Sequence, residues 1–156
     1  MTIADDMAVA EVEFREVPFD SPAYHQTLAL RQIVLRTPLG LTLSAADLAG
    51  EARQRHFVLL ENGDVVACVV IRPADRTDVV RLRQMAVAAG VQGRGLGAQL
   101  IRRVEAVLRR DGVTEVVMSA RQSAVGFYQK LGYQTEGDGY PDLGIHHIRM
   151  CKLLYR

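Results

Sequence analysis

Two apolar runs meet at the dipeptide Asn62-Gly63, and this junction constrains the fold more than any other feature of the sequence. The segment reads "HFVLLENGDVVACVVIRP", with β-branched residues on both sides of the dipeptide. Asn-Gly is the preferred centre of a two-residue turn between antiparallel strands, because both residues tolerate positive φ. The segment therefore predicts a β-hairpin. A further apolar run, "DVVRLRQMAV", follows and predicts a strand directly after it.

Extended and helical patterns fill the rest of the chain. "EVEFREV" alternates and predicts a first strand. "SPAYHQTLALRQIVLR" and "SAADLAGEARQ" then predict two helices that start at Ser21 and Ser44. Pro22 after Ser21, and Asp47 three residues after Ser44, are typical of helix starts. Apolar residues at steps of four predict a long amphipathic helix from Leu96 to "DG". "VTEVVMSA", "SAVGFYQKL", "GYQTEG" and "IHHIRMCKLL" predict a strand, a short helix and two strands, with "GDGYPDLG" as the last loop.

The resulting element order, βααβββαβαββ, restricts the fold class. Strands cluster early, and only one strand–helix–strand unit lies in the middle of the chain. This order predicts an α/β (α+β) domain with a mixed, mostly antiparallel sheet of about seven strands and helices on both faces. A chain of 156 residues suits one core, so we expect a single domain over residues 11–156. Residues 1–10 are predicted to form a flexible N-terminal tail.

Composition excludes several classes of function. The formal net charge is +1, so bulk charge gives no basis for binding nucleic acid or an anionic membrane. The longest strongly apolar run, residues 65–71, is too short to span a bilayer. Asp5 and Asp6 lie where a signal peptide would carry positive charge. Cys68 and Cys151 are expected to be free thiols of a reducing compartment. We therefore expect a cytoplasmic protein with neither nucleic acid nor membrane as a partner.

Three glycines at alternate positions lie at the start of the long helix, in "VQGRGLGAQLI". The unpaired amides at a helix start attract anions, and glycine leaves no side chain to hold an anion away. The stretch therefore predicts an anion site. Gly93, Gly95 and Ala98 also satisfy the dinucleotide pattern G-x-G-x-x-G/A. That alternative is weakened because "AAGVQ" separates the glycines from their strand and the next strand ends without an acidic residue. A P-loop is excluded, since no Gly-Lys-Ser/Thr follows.

Aligned as Q-x-x-G-x-G over residues 92–97, the stretch resembles the GNAT superfamily of acyl-CoA-dependent acyltransferases. The segment "SARQSAVGFYQKLGY" resembles the second signature of that family, A-x-x-F-Y-x-k-x-G-F. Together with "GIHHIRM", it is similar to a bacterial subgroup with A-R-x-x-A-x-x-F-Y and G-I-x-H-x-x-M. The chain departs from the family at Arg121, where many members carry an asparagine. The resemblance extends from about residue 11 to residue 154.

The resemblance implies that acetyl-CoA is the co-substrate and that the glycine loop holds its pyrophosphate. The backbone at the end of the preceding strand would pair with the pantetheine arm, and Arg94 would add a charge-assisted contact. The cofactor-binding residues indicated in this way are Met85, Ala86, Val87, Gln92, Gly93, Arg94, Gly95, Leu96, Gly97 and Ala98. No metal is expected, because strand alternation separates His146 from His147 and no other ligand cluster lies nearby.

Acyl transfer to an amine requires a proton acceptor for the amine and a proton donor for the leaving thiolate. Tyr128 is the predicted acid, because a phenol with an ordinary pKa of about 10 is matched to the thiol of coenzyme A. The alternative for Tyr128 is packing beside Phe127. His147 is the predicted base, and a purely structural histidine is the alternative.

The predicted function is transfer of an acetyl group from acetyl-CoA to an amine by direct attack. The acceptor is either a small-molecule amine or an amine of a protein or peptide, and its pocket is expected near "TPLGLTLS" and "GDGYPDLG". A non-catalytic sensor or regulatory module that binds acetyl-CoA is the alternative. The sequence is also compatible with a homodimer, and it does not identify the acceptor.

Overall fold

A seven-stranded mixed sheet forms the centre of the computed structural model, which describes residues 12–154. The strands are β1 (Val12–Val17), β2 (Arg55–Glu61), β3 (Asp64–Pro73), β4 (Val79–Val87), β5 (Glu115–Arg121), β6 (Gln134–Asp142) and β7 (Ile145–Leu153). Their spatial order is β1-β2-β3-β4-β5-β7-β6. Only β4 and β5 run parallel; the other neighbouring strands are antiparallel. The predicted mixed, mostly antiparallel sheet is confirmed. The predicted tail, residues 1–10, lies outside the described residues.

Helices cover both faces of this sheet. They are α1 (Pro22–Arg31), α2 (Ala45–Leu48), α3 (Leu96–Arg110) and α4 (Val125–Lys130). A π-helical turn, Gln32–Arg36, extends α1, and short 3-10 turns occupy Thr37–Leu39, Glu51–Arg53, Ala89–Val91 and Gln122–Ala124. Leu100 and Leu108 of α3 belong to the larger core, while Leu30 of α1 packs in a smaller core on the other face. None of the helices in residues 12–154 is long and apolar enough to cross a membrane.

The local start and turn signals of the sequence form as predicted. Asn62 and Gly63 have φ of 52° and 84° and close the β2–β3 hairpin. The Ser21 hydroxyl accepts a hydrogen bond from the amide of Tyr24 at the start of α1. Ser44 and Asp47 form a reciprocal capping box at the start of α2. Each of these devices acts within a few residues, which is why the sequence alone was sufficient to place them.

Two predicted boundaries are wrong. The second helix was expected to run through "SAADLAGEARQ", but α2 ends at Leu48. The chain leaves helical geometry at Ala49, with ψ of 130°, and turns at Gly50, with φ of 78°. The segment "GDGYPDLG" was expected to be a loop, but β6 continues to Asp142, and Leu143-Gly144 alone makes the turn to β7. Pro141 is tolerated there because β6 is an edge strand, so the missing amide costs no pairing on its open side.

The sheet opens between its two parallel strands. Only Val79–Arg81 of β4 pairs with β5, and beyond these residues the strands have no mutual pairing. A bulge shifts the β3–β4 register between Arg83 and Ala86, and Gln84 in this bulge has a φ of 54°. A bulge increases local twist and redirects a strand. The end of β4 is therefore held by β3 alone, and a gap lies beside β5.

Candidate active site

A cavity of about 1000 Å³ occupies the gap between β4 and β5. Its wall is built from the end of β4, the start of α3, the end of β5, α4 and the β6–β7 hairpin. The predicted site residues that line it are Met85, Ala86, Val87, Gln92, Gly93, Gly95, Leu96, Gly97, Ala98, Tyr128 and His147. Eleven of the twelve predicted site residues thus lie around one space, and Arg94 is the exception.

The start of α3 presents bare main chain to this cavity. Gly95 occupies the N-cap position with φ of 75°, and no side chain caps the helix there. Gly93 has a φ of 86°. A β-carbon built on Gly93 or Gly95 would meet no atom within 4 Å, so the space beside the backbone is open. Uncapped amides, a helix dipole and open space are the features that favour an anion at a helix start.

Gly97 lacks a side chain for a different reason. A β-carbon there would lie 3.2 Å from Cζ of Phe127 and 3.3 Å from Cε of Met85. Glycine at this position therefore lets α3 pack against α4 and β4. Gly93 and Gly95 thus border open space, whereas Gly97 permits close packing. The role of the three glycines toward an anion stays a prediction.

The side chains of Gln92 and Arg94 are engaged within the protein. The Gln92 side-chain amide donates to the carbonyl oxygen of Val87 at 3.1 Å, which ties the loop to the end of β4. The Arg94 guanidinium forms an ion pair with Glu61, with Nη2 and Oε2 2.5 Å apart. Arg94 would have to leave this pair to make its predicted contact with an anion.

Tyr128 is buried, with 6% of its surface exposed, yet its hydroxyl is unbonded. Its ring packs edge-on against Phe127 and Tyr133, at centroid distances of 4.9 and 5.7 Å. No residue within 12–154 forms a hydrogen bond with the hydroxyl, and the side chain lines the cavity. Burial raises the pKa of Tyr128. The phenol is therefore protonated at neutral pH and able to donate to a group in the cavity.

His147 presents one nitrogen to the protein backbone. Its Nδ1 lies 2.9 Å from the carbonyl oxygen of Ile145, and since a carbonyl only accepts, Nδ1 carries the proton. In the neutral ring Nε2 is then a free acceptor, as a base requires. The ring stacks on Tyr140 at 6.0 Å, and the Tyr140 hydroxyl donates to Ser119. His146 lies instead against Gly139, where a β-carbon would collide with its ring.

A buried ionic network behind the cavity was missed by the sequence analysis. Glu51 and Arg31 are fully buried, with Oε2 and Nη2 2.6 Å apart, and Arg83 approaches the same carboxylate at 2.6 Å. The Tyr24 hydroxyl also donates to Glu51 at 2.6 Å. Burial by itself raises the pKa of Glu51, but the hydrogen bonds from Arg31, Tyr24 and Arg83 outweigh it and lower the pKa to about 2. The carboxylate is therefore held in its charged form.

This network supports the bulge that shapes the site. Nε of Arg31 donates to the side-chain oxygen of Gln84 at 3.1 Å, so α1 is tied directly to the residue with positive φ in β4. The spacing in the sequence could have indicated this network. Arg31 follows Tyr24, Thr27 and Leu30 at helical spacing, and these four are the buried residues of α1. An arginine on the buried stripe of a helix needs a buried partner.

Within residues 12–154, no three side chains of His, Cys, Asp or Glu gather where they could hold a metal ion.

The site thus combines an open parallel strand pair with an uncapped helix start in a seven-stranded sheet. A sequence profile of the acetyltransferase (GNAT) family matches residues 16–133, and the chain therefore belongs to this family of acetyltransferases. The resemblance seen in the sequence is confirmed.

Known proteins are similar to this chain in sequence or in fold. The uncharacterized protein YyaT of Bacillus subtilis (strain 168) is 30% identical over 76 residues, which cover 49% of this chain and 51% of YyaT. The match thus spans about half of that relative. A putative N-acetyltransferase from Lactobacillus plantarum has a TM-score of 0.80 at 23% identity, covering 94% of this chain and 99% of that chain. A GNAT family acetyltransferase from Elizabethkingia anophelis with acetyl-CoA bound has a TM-score of 0.70 at 17% identity, covering 92% and 98%.

Proposed function

We propose that this acetyltransferase moves an acetyl group from acetyl-CoA to an amine by direct attack of the amine on the thioester. The observation that carries the proposal is the gap between β4 and β5, which joins an uncapped helix start to an unbonded tyrosine hydroxyl and a histidine acceptor nitrogen. The uncapped helix start fits an anionic carrier, and the tyrosine hydroxyl and histidine nitrogen fit proton transfer.

The carrier would bind along the open edge of β4. The amides at the start of α3 would hold its pyrophosphate. Beyond Arg81 the main chain of β4 has no pairing with β5, so its free groups can pair with the amides of the pantetheine arm, much as an added strand would. The same edge, from Met85 to Val87, would orient the thioester and polarise its carbonyl.

Proton transfer would then involve Tyr128 and His147. Nε2 of His147 would accept the proton of the attacking amine, directly or through one water molecule. The carbon–nitrogen bond forms, the carbon–sulfur bond breaks, and Tyr128 gives its proton to the thiolate. Burial raises the pKa of Tyr128, but it also raises the pKa of a thiol in the same cavity, because both groups are anions once deprotonated. Donor and acceptor can therefore stay matched.

Turnover tests this proposal against a non-catalytic sensor. With acetyl-CoA and a panel of amines, we expect free thiol and an acetylated amine in equal amounts. Acetyl-CoA at a hundred times its dissociation constant should also stabilise the fold by about 2.7 kcal/mol. Stabilisation without thiol release for any amine would favour the sensor, and an unchanged melting temperature would contradict binding itself. A small-molecule or peptide acceptor, a cytoplasmic location and a homodimer stay predictions.

A further inference from the structure

Arginines crowd one part of the cavity wall. The five that line it are Arg36, Arg72, Arg81, Arg83 and Arg121. Two of them are neutralised, because Arg36 pairs with Asp47 at 2.8 Å and Arg83 pairs with Glu51 at 2.6 Å. Arg121 donates to a main-chain carbonyl. The other two, Arg72 and Arg81, form no ion pair or side-chain hydrogen bond with any residue in the described range 12–154.

The two unpaired arginines face each other. Arg72 of β3 and Arg81 of β4 are directly opposite in the antiparallel register, and both are half-buried. Like charges at such positions destabilise a sheet. Burial, and then the proximity of Arg72 and Arg149, lower the pKa of Arg81; Tyr140 and Asp75 act in the opposite direction without an ion pair. An arrangement that costs stability and has no internal counterion is typical of a binding site.

The pair lies apart from the anion site at the start of α3. The glycine loop follows the last residue of β4, whereas Arg81 is the third residue of that strand. Val80 and Leu82 share a core with α3, so strand alternation places Arg81 on the other face, with Arg83. The phosphates proposed for the α3 end would therefore not neutralise this pair.

We propose that Arg72 and Arg81 bind an oxyanion, a carboxylate or a phosphate, on the acceptor, so that the acceptor is an amine with a distant anionic group. This inference rests on the proposed acetyl transfer. Guanidinium groups bind both oxyanions through charge-assisted hydrogen bonds. Polyamines are disfavoured by the same two charges.

The strand sets the length of such an acceptor. The thioester would lie beside Ala86, five residues after Arg81. Five residues of a regular strand span roughly 16 Å, and the bulge between Arg83 and Ala86 shortens this distance. Arginine side chains extend over part of that distance. The carboxylate of an α-amino acid, two bonds from the nitrogen, is too close to it to reach the pair. An extended ω-amino carboxylate or aminoalkyl phosphate can reach both sites.

Matched acceptors test the inference. Wild-type protein is assayed with acetyl-CoA and ω-amino carboxylates of increasing length, from glycine to aminohexanoate, with the amino alcohols of equal length, and with their phosphate esters. We expect kcat/KM for the long anionic amines to exceed that of the amino alcohols by roughly tenfold or more. The carboxylate and phosphate series identify which oxyanion is preferred.

Variants assign this preference to the pair. Arg81→Gln should reduce the ratio between anionic and neutral amines to about one, and Arg81→Lys should retain part of it. Arg110→Gln removes the same charge from an arginine whose side chain is 74% exposed at the end of α3, and it should leave the ratio unchanged. Because Arg81→Gln removes a like-charge contact, its melting temperature should equal or exceed that of wild type. A lower melting temperature would make Arg81 structural and overturn the inference.

The remaining outcomes separate this inference from the proposed function. Equal acetylation of anionic and neutral amines would overturn the inference and leave acetyl transfer intact. If no amine is acetylated, the proposed function fails. In that case aminohexanoate or its phosphate counterpart should still raise the melting temperature of the acetyl-CoA complex in wild type and not in Arg81→Gln. Absence of that difference would overturn the anion site as well.

Discussion

Two buried tyrosines whose ring centroids lie 5.7 Å apart differ in one respect, the partner of the hydroxyl group. Tyr133 donates to Glu105 at 2.8 Å, and that carboxylate also receives Lys152 at 2.8 Å. Tyr128 has no such partner among residues 12–154 and faces the cavity. Because the Tyr128 hydroxyl opens onto the cavity, it stays available to a ligand or to water, whereas the Tyr133 hydroxyl is already engaged. Tyr128 is therefore the candidate proton donor, and Tyr133 is a structural control from the same core.

We expect Tyr128→Phe to reduce kcat by roughly 10²-fold with little change in acetyl-CoA affinity, because the hydroxyl acts only when the carbon–sulfur bond breaks. Tyr133→Phe should do the reverse. It removes a donor to a buried carboxylate, so the free energy of unfolding should fall by about 1–3 kcal/mol while kcat is retained. Steady-state kinetics, calorimetric binding and denaturant unfolding of both variants check this. An unchanged kcat in Tyr128→Phe would make Tyr128 a packing residue.

At the scale of single elements, the start of α3 combines two uses of glycine. Gly95 provides the left-handed N-cap beside open space, while Gly97 allows the helix to approach Phe127. The sequence predicted the helix, its glycine start and its position beside the site. It could not separate the two uses, because the second depends on α4, about thirty residues later in the chain.

Other elements also differ in whether adjacent or distant residues determine them, and only the former were predictable. The β2–β3 hairpin and the caps of α1 and α2 were predictable, since their determinants are adjacent in sequence. The length of β6 was not, because its pairing with β7 and its edge position make a Pro- and Gly-bearing segment extended. Eleven of the twelve site residues predicted from the family motifs line the cavity, and their roles stay predictions. The arginine pair across β3 and β4 was invisible, because it depends on strand register.

We expect Gly95→Ala to weaken acetyl-CoA binding by tenfold or more, about 1.4 kcal/mol, because a methyl group would enter the space of the pyrophosphate. Gly112→Ala is the matched control. Gly95 and Gly112 have φ of 75° and 89°, and a β-carbon at either would meet no atom within 4 Å. Both variants should therefore lose about 1–2 kcal/mol of stability to backbone strain. Equal affinity in the two variants, measured by calorimetry, would show that the loop does not contact the cofactor.

At the scale of the whole molecule, Glu51 joins segments that are far apart in sequence. Its carboxylate receives Tyr24 and Arg31 from α1 and Arg83 from β4, and Arg31 continues to Gln84 in the bulge. The network thus connects the helix on one face of the sheet to the strand that frames the cavity. Removing one partner would leave a buried charge uncompensated, which typically costs about 3–5 kcal/mol. The position of the site and the stability of the fold therefore share one set of contacts.

This coupling predicts how stability depends on pH. The pKa of Glu51 is lowered from 4.5 to about 2, so the folded state favours the carboxylate more than the unfolded chain does. The contribution of Glu51 to the free energy of unfolding is complete above the pKa of this group in the unfolded chain. It is lost as the pH falls toward about 2. The shift corresponds to about 3 kcal/mol. Asp47, which Arg36 hydrogen-bonds, has its pKa lowered to about 2 as well and adds to the loss in the same window.

We therefore expect the free energy of unfolding, measured with denaturant, to fall steeply between about pH 5 and about pH 2. Glu51→Gln should lose several kcal/mol at neutral pH, because Arg31 keeps its charge without a carboxylate, and should then lose less on acidification than wild type. Glu16→Gln is the control, since Glu16 pairs with Arg55 at the surface, and it should cost about 1 kcal/mol or less. Equal acid dependence of Glu51→Gln and wild type would show that other carboxylates, and not this network, govern the stability of the fold in acid.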